Sequence, residues 1–276
     1  MGTGAARLPL SEGGGVIFDL DGCLVRGKRP IPGAPEVVSR LKAAGVRMVY
    51  ITNDSSRTPG EIARGLSAMG FEAQAEEVMT SSLAVASYLK ARLPRARVLA
   101  IGAVGLIGAL EERGLTLVGP ELAGEADVVA MGRDPDFGYA KLEAACRAIW
   151  AGARFIATNL DPSVPAENGL RPGTGPMVKA VAYATGKRPL VLGKPSKWSG
   201  ELAVRKLGVP KERVVVVGDQ IDQDIRLGKR IGVQTVLVLT GGSSEADLAR
   251  VPERLRPDLV LPDVTHLFAP PGSAQA

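Results

Sequence analysis

The chain has one histidine, two cysteines and few aromatic residues, and each shortage removes a class of explanation. With only Cys23 and Cys146, far apart in sequence, there is no disulfide framework and a reducing compartment is expected. The single histidine, His266, lies near the C-terminus and away from the acidic motifs, so chemistry at those motifs must proceed without imidazole. Aromatics at 4% leave the core to Val, Leu, Ile and Ala. No apolar run approaches the length of a membrane span, and Met1 to Gly15 lacks the apolar stretch of a secretory signal. The formal charge of +5 is dispersed along the chain, unlike a basic stripe interleaved with aromatics. The expectation is a soluble cytoplasmic protein that partners neither nucleic acid nor membrane.

What is present is an alternation of Val/Ile/Leu-rich segments with helical patterns, the signature of an α/β fold on a mostly parallel sheet. Strands are expected at Val16–Phe18, Val46–Ile51, Arg97–Ile101, Val128–Met131, Arg154–Thr158, Pro189–Leu192, Arg213–Val217, Val233–Leu239 and Asp258–Leu261. Helices are expected at Glu36–Ala44, from Pro59 to about Met69, and over Thr80–Arg92, Tyr139–Ala151 and Pro176–Ala184. Between Asn159 and Gly175 runs a Pro/Gly/Asn/Asp-rich loop of a length usually reserved for function. The chain then returns to short buried strands, so residues 83–185 read as a second α/β unit inserted into a core formed by 1–82 and 186–276. Pro270–Ala276 reads as a disordered tail.

The stretch Val16-Ile17-Phe18-Asp19-Leu20-Asp21-Gly22 carries the first chemical signal. Extended backbone alternates its side chains, so carboxylates two residues apart project to one side. Like charges at a buried strand tip are costly unless a cation lies between them, and Mg²⁺ favours carboxylate and phosphate oxygens. Three further loops directly follow predicted strands and hold Thr52 and Asn53, Lys194, and Asp219 and Asp224. In an open parallel sheet the C-terminal strand ends share one edge, where ligands bind. Such a set suits a phosphate ester with Mg²⁺. Asp19 serves as nucleophile through an aspartyl-phosphate, and Asp21 protonates the leaving alcohol and then activates water. Lys194, Thr52 and Asn53 hold phosphate oxygens. Asp222 and Asp224 each have a second reading as the N-cap of the following helix. Asn159 and Asp161 either face the site or satisfy turn geometry. Cys23, Trp150 and Trp198 read as packing residues.

These motifs resemble those of the haloacid dehalogenase superfamily, in the phosphatase subfamily with an α/β cap that includes the NagD-type, p-nitrophenyl, phosphoglycolate and pyridoxal phosphate phosphatases. The resemblance is carried by Asp19-Leu20-Asp21-Gly22-Cys23-Leu24, Ile51-Thr52-Asn53-Asp54-Ser55, Gly193-Lys194-Pro195-Ser196 and Gly218-Asp219-Gln220-Ile221-Asp222-Gln223-Asp224-Ile225. Two cap segments add to it, Ala157–Pro162 and Pro172–Gly175. The resemblance implies a doubly wound parallel-sheet core with an inserted α/β cap that closes to exclude water. It implies Mg²⁺ held by the Asp19 carboxylate, the Asp21 backbone carbonyl and Asp219, with Asp224 acting through water or on Lys194. A homodimer through the cap is a further implication. The usual second motif has Asn where this chain has Asp54, which places an added negative charge beside a phosphate loop.

Other classes remain in view. A dehalogenase needs neither Mg²⁺ nor an acid/base at residue 21. A phosphomutase shares the core but not so large an insertion, and a catalytically silent binding protein would be expected to lack one of Asp19, Asp21, Lys194 or Asp219. The residues do not choose among nucleotide, sugar phosphate, phosphoglycolate and pyridoxal phosphate. Arg171, the one basic residue of the long loop, is a candidate for a second anionic group.

Overall fold

A computed structural model describes residues 8–166 and 169–268; the Pro270–Ala276 tail lies outside them. The chain forms two compact units, Met1–Ile51 with Ala63–Val78 and Gly200–Ala276, and Thr52–Ile62 with Met79–Ser199. No helix among the described residues is long and apolar enough to cross a membrane.

The first unit is built on a sheet ordered Leu259–Leu261, Gln234–Val238, Val214–Gly218, Gly15–Asp19, Arg47–Thr52, Val78–Thr80. The first five of these strands pair in parallel. A central parallel strand is covered on both faces and therefore reads as a continuous apolar run. Val16, Ile17 and Phe18, like Val214 to Val217, are fully buried on this account. Register places Gly15 opposite both Val214 and Arg47, and Asp19 opposite Ile51. The Ala34–Ala43 helix starts one residue before Pro35, where the missing N–H costs nothing, and buries Val37, Val38 and Leu41. The 258–261 segment forms an edge strand over Leu259–Leu261, as its short apolar run suggests.

The second unit holds a five-stranded parallel sheet ordered Leu190–Val191, Arg154–Ala157, Val128–Met131, Arg97–Ile101, Thr116–Leu117. Its core packs Leu99, Ile101, Val129, Met131 and Phe155 against helical Ala145, Cys146, Ile149 and Val178. The helix Ser81–Arg92 starts where Thr80 accepts a hydrogen bond from the Leu83 amide at 3.2 Å. Thr58 and Glu61 close a reciprocal capping box at the Pro59–Ala68 helix.

Three features depart from the sequence pattern. Leu190–Val191 pairs with Arg154–Ala157 of the second sheet, so the strand before Lys194 is not a strand of the first sheet. The long loop contains an antiparallel hairpin, Ser163–Ala166 with Gly169–Pro172, whose prolines mask a strand pattern. Trp150 is 66% exposed rather than packed, whereas Trp198 donates its indole N–H to the Ala84 carbonyl and meets Tyr88 edge to face.

Candidate active site

The residues singled out in the sequence fall into two groups, one in each unit. In the first unit the strand Gly15–Asp19 ends on Asp19, so the pleat that was to align Asp19 with Asp21 stops there. Beyond it, Leu20 accepts backbone bonds from Cys23, Leu24 and Val25 at 2.9–3.2 Å, and the Gly22 amide donates to Val25. Gly22 holds φ at 90°, a conformation that favours glycine. This tight loop leaves Asp21 half-buried. Cys23 donates its S–H toward the Val217 carbonyl at 3.7 Å, in keeping with a packing residue.

Asp219 directly follows the strand Val214–Gly218, and residues 221–225 form a wide π-type turn. The geometry brings Asp19, Asp219 and Asp224 together: one carboxylate oxygen of each lies within 4.8 Å of the others, and the three residues are 4%, 2% and 0% exposed. Asp219 accepts from the Gly242 amide at 2.5 Å. Asp224 accepts from the Gln220 amide at 3.0 Å, so it tethers the turn behind it and does not cap the helix ahead. Asp222 stands in solvent, paired with Arg226. A Cβ at Gly22 or Gly241 would lie 2.7 or 2.6 Å from the Asp219 carboxyl carbon, so both glycines are needed for the acid to occupy this position. Three buried carboxylates at this spacing repel one another unless a cation is shared. An oxygen-only donor set suits a hard divalent ion, so the residues fit the metal expected. The Asp21 carboxylate is not part of this cluster.

In the second unit Thr52 is buried, and its hydroxyl oxygen accepts from the Asp54 amide at 3.0 Å. Lys194 is 5% exposed and follows Gly193 through a loop with a cis Lys194–Pro195 peptide. Its backbone N–H donates to Asn53 Oδ1 at 2.8 Å. Asn53 Nδ2 faces both Asp161 oxygens, at 3.2 and 3.4 Å. Asn159 donates to the Asn53 carbonyl at 2.7 Å and accepts from the Asp161 amide at 3.1 Å. Asn53, Asn159, Asp161 and Lys194 thus form one hydrogen-bonded group, and Thr52 directly precedes Asn53 in the chain.

The charge added by Asp54 is matched locally. Its carboxylate accepts from the Ser56 amide and hydroxyl at 2.8 and 2.7 Å and from Arg57 Nε at 2.6 Å, and Arg133 lies 3.8 Å away. Burial pushes this acid up, but the Arg57 charge and the bonds from Ser56 and Arg57 outweigh it and hold it below the ordinary carboxylate range. Gly22 belongs to the first motif of the sequence, whereas neither Arg57 nor Arg133 stands out there. The Gly241-Gly242 pair after a strand was a visible signal, whereas the approach of Arg133 to Asp54 spans 79 residues and left none.

Comparison with known proteins decides the family. Residues 16–116 match the haloacid dehalogenase-like hydrolase family model, and residues 191–267 match a second, HAD-hydrolase-like one. An acid sugar phosphatase of Staphylococcus haemolyticus is 39% identical over 85% of this chain and 88% of its own length. The chain belongs to the haloacid dehalogenase-like hydrolases. Within that family it is similar to a p-nitrophenyl phosphatase from Archaeoglobus fulgidus, with a TM-score of 0.83 and 36% identity over 92% of this chain and 97% of the other. A glycerol phosphate phosphatase from Mycobacterium tuberculosis, solved with magnesium, aligns with a TM-score of 0.88 and 34% identity over 94% of this chain and 78% of the other. These likenesses place the chain in the capped NagD-type branch, as a phosphoric monoester hydrolase.

Proposed function

We propose that this protein is a Mg²⁺-dependent phosphatase that hydrolyses small phosphate monoesters through a phosphorylated Asp19. The observation that carries this reading is the buried Asp19–Asp219–Asp224 cluster, with Asp19 and Asp219 at the ends of neighbouring parallel strands and Asp224 in the turn that follows. Asp19 attacks phosphorus, and the bond from phosphorus to the ester oxygen breaks. Asp21 gives its proton to that oxygen and then, as the carboxylate, takes a proton from the water that attacks the acyl phosphate. Inorganic phosphate leaves and Asp19 is restored. Lys194 and Thr52 bind phosphate oxygens while negative charge moves between them. Asp19, Asp219 and the Asp21 carbonyl would hold the ion, with Asp224 supporting; when bound, Mg²⁺ offsets repulsion between the attacking carboxylate and the phosphate.

We assign catalysis to residues 1–82 and 186–276 and substrate selection to the cap, 83–185. The names of the relatives make sugar phosphates and glycerol phosphate the first esters to test. The reading is of a cytoplasmic enzyme whose partner is the ester itself and which forms a homodimer through the cap.

The test is turnover of p-nitrophenyl phosphate by purified protein with Mg²⁺ and with excess chelator. Turnover that needs the ion and returns on its re-addition is expected. Full activity in chelator would remove the metal from the account, and no turnover of any phosphorylated metabolite would favour a silent binding protein.

A further inference from the structure

We propose that Asn53 and Asp161 form a positioning pair that acts on the ester through Lys194. The inference rests on the phosphatase reading given above and assigns Asn53 a task different from direct phosphate binding.

A carboxamide has two unlike ends, one that only accepts and one that only donates. The Lys194 backbone N–H requires an acceptor, so Oδ1 of Asn53 must face it, at 2.8 Å. Nδ2 is then directed at the two Asp161 oxygens and lies 3.4 Å from the Lys194 carbonyl. Turning the amide over would set N–H against N–H and oxygen against carboxylate. The Asp161 charge therefore fixes which way Asn53 points, and Asn53 in turn fixes the main chain that carries the Lys194 ammonium.

The surroundings are built for this contact. A Cβ at Gly193 would lie 2.6 Å from Asn53 Oδ1, so only glycine lets the two segments approach this closely. The Asn53 carbonyl accepts from both Asn159 Nδ2 at 2.7 Å and Ser81 Oγ at 2.8 Å. Asn159 also holds the Asp161 amide, so the partner of Asn53 is itself anchored. Segments around residues 53, 160 and 194 are thus pinned at one carboxamide.

An exchange of the two side chains separates positioning from simple stabilisation. Asn53→Asp sets carboxylate against carboxylate and should lower kcat/KM for p-nitrophenyl phosphate about 100-fold. The inhibition constant of inorganic phosphate should rise with it, because Lys194 is displaced. Adding Asp161→Asn restores a donor facing an acceptor across the same gap, and should recover about 10-fold or more of both quantities over Asn53→Asp alone. A double variant no better than Asn53→Asp, or a single variant within about twofold of wild type, would overturn the pair. If Asn53→Asp does not fold, Asp161→Ala at its half-buried position takes its place. The inhibition constant should then rise several-fold at an unchanged Tm, and an unchanged constant overturns the proposal. If the wild type turns over no ester, the phosphatase reading fails first. Stabilisation of Tm by inorganic phosphate then serves as the readout for the same variants, with the same expected and overturning results.

Discussion

Two groups of functional side chains are held in place by different means. In the first unit Asp19 and Asp219 lie at the ends of adjacent parallel strands, and their positions follow from sheet register: Gly15 sits opposite Val214, one strand ends on Asp19 and the other just before Asp219. In the second unit the Asn53 loop owes its position to side chains that arrive from residues 81, 159 and 161 and to the main chain of residue 194. A sheet position is backed by a whole core of buried valines, whereas a hydrogen-bonded position depends on each partner. The first arrangement should tolerate conservative change around it. The second should fail one contact at a time.

The largest expected effect belongs to the first unit. Asp19→Asn keeps the size and shape of the side chain but removes the charge and the nucleophilic oxygen. The kcat should drop by about 10⁴-fold or more, with Tm within about 2 °C of wild type. Retained turnover would mean that Asp19 is not the group that attacks phosphorus. Next comes Asp224→Asn, which keeps an acceptor for the Gln220 amide. It should raise the Mg²⁺ concentration for half-maximal activity about 10–100-fold, and an unchanged requirement would remove Asp224 from the metal's surroundings.

The difference between the units is also the difference in what the sequence discloses. Asp19, Asp219, Thr52 and Lys194 each follow a run of strand-forming residues, and strand periodicity with glycine punctuation makes such positions visible. Fold class and most strands were legible for the same reason. The Leu190–Val191 strand was misassigned because two half-exposed residues carry no mark of the sheet they join. The hairpin at 163–172 was hidden because proline on an edge strand resembles a loop. Likewise, nothing local to Asp54 announces Arg133, and nothing local to Asn53 announces Asp161. Contacts between distant polar side chains have no period, so they emerge only with coordinates.

A smaller effect tests the second unit. Asp54 titrates below an ordinary carboxyl, so its stabilising contribution is full above the unfolded value of about pH 4 and is lost as pH falls through the depressed folded value. Asp54→Asn should lower Tm by about 2–4 °C at pH 7, and the gap should close as pH drops below about 4. A gap that persists unchanged in acid would assign the loss to packing and not to the Arg57 and Arg133 charges.

The smallest effect returns to the first sheet. Tyr50 is fully buried on the strand Arg47–Thr52, and its hydroxyl has no hydrogen-bond partner among the described residues. Burial, with the Glu77 and Glu72 charges, pushes its phenol well above the usual value. Tyr50→Phe relieves an unsatisfied polar atom and should leave the unfolding free energy unchanged or raise it by about 1 kcal/mol. A clear loss would reveal a bound water or other partner at that oxygen.

Phosphorylation of Asp19 is the claim on which the rest depends, and it can be observed. Radiolabelled p-nitrophenyl phosphate mixed with enzyme and Mg²⁺, then quenched in acid within the first turnover, should leave an acid-stable, hydroxylamine-labile label on the peptide containing Asp19. The same label should be absent from the Asp19→Asn variant. Label on another residue, or full turnover of wild type with no labelled protein at any quench time, would contradict the account.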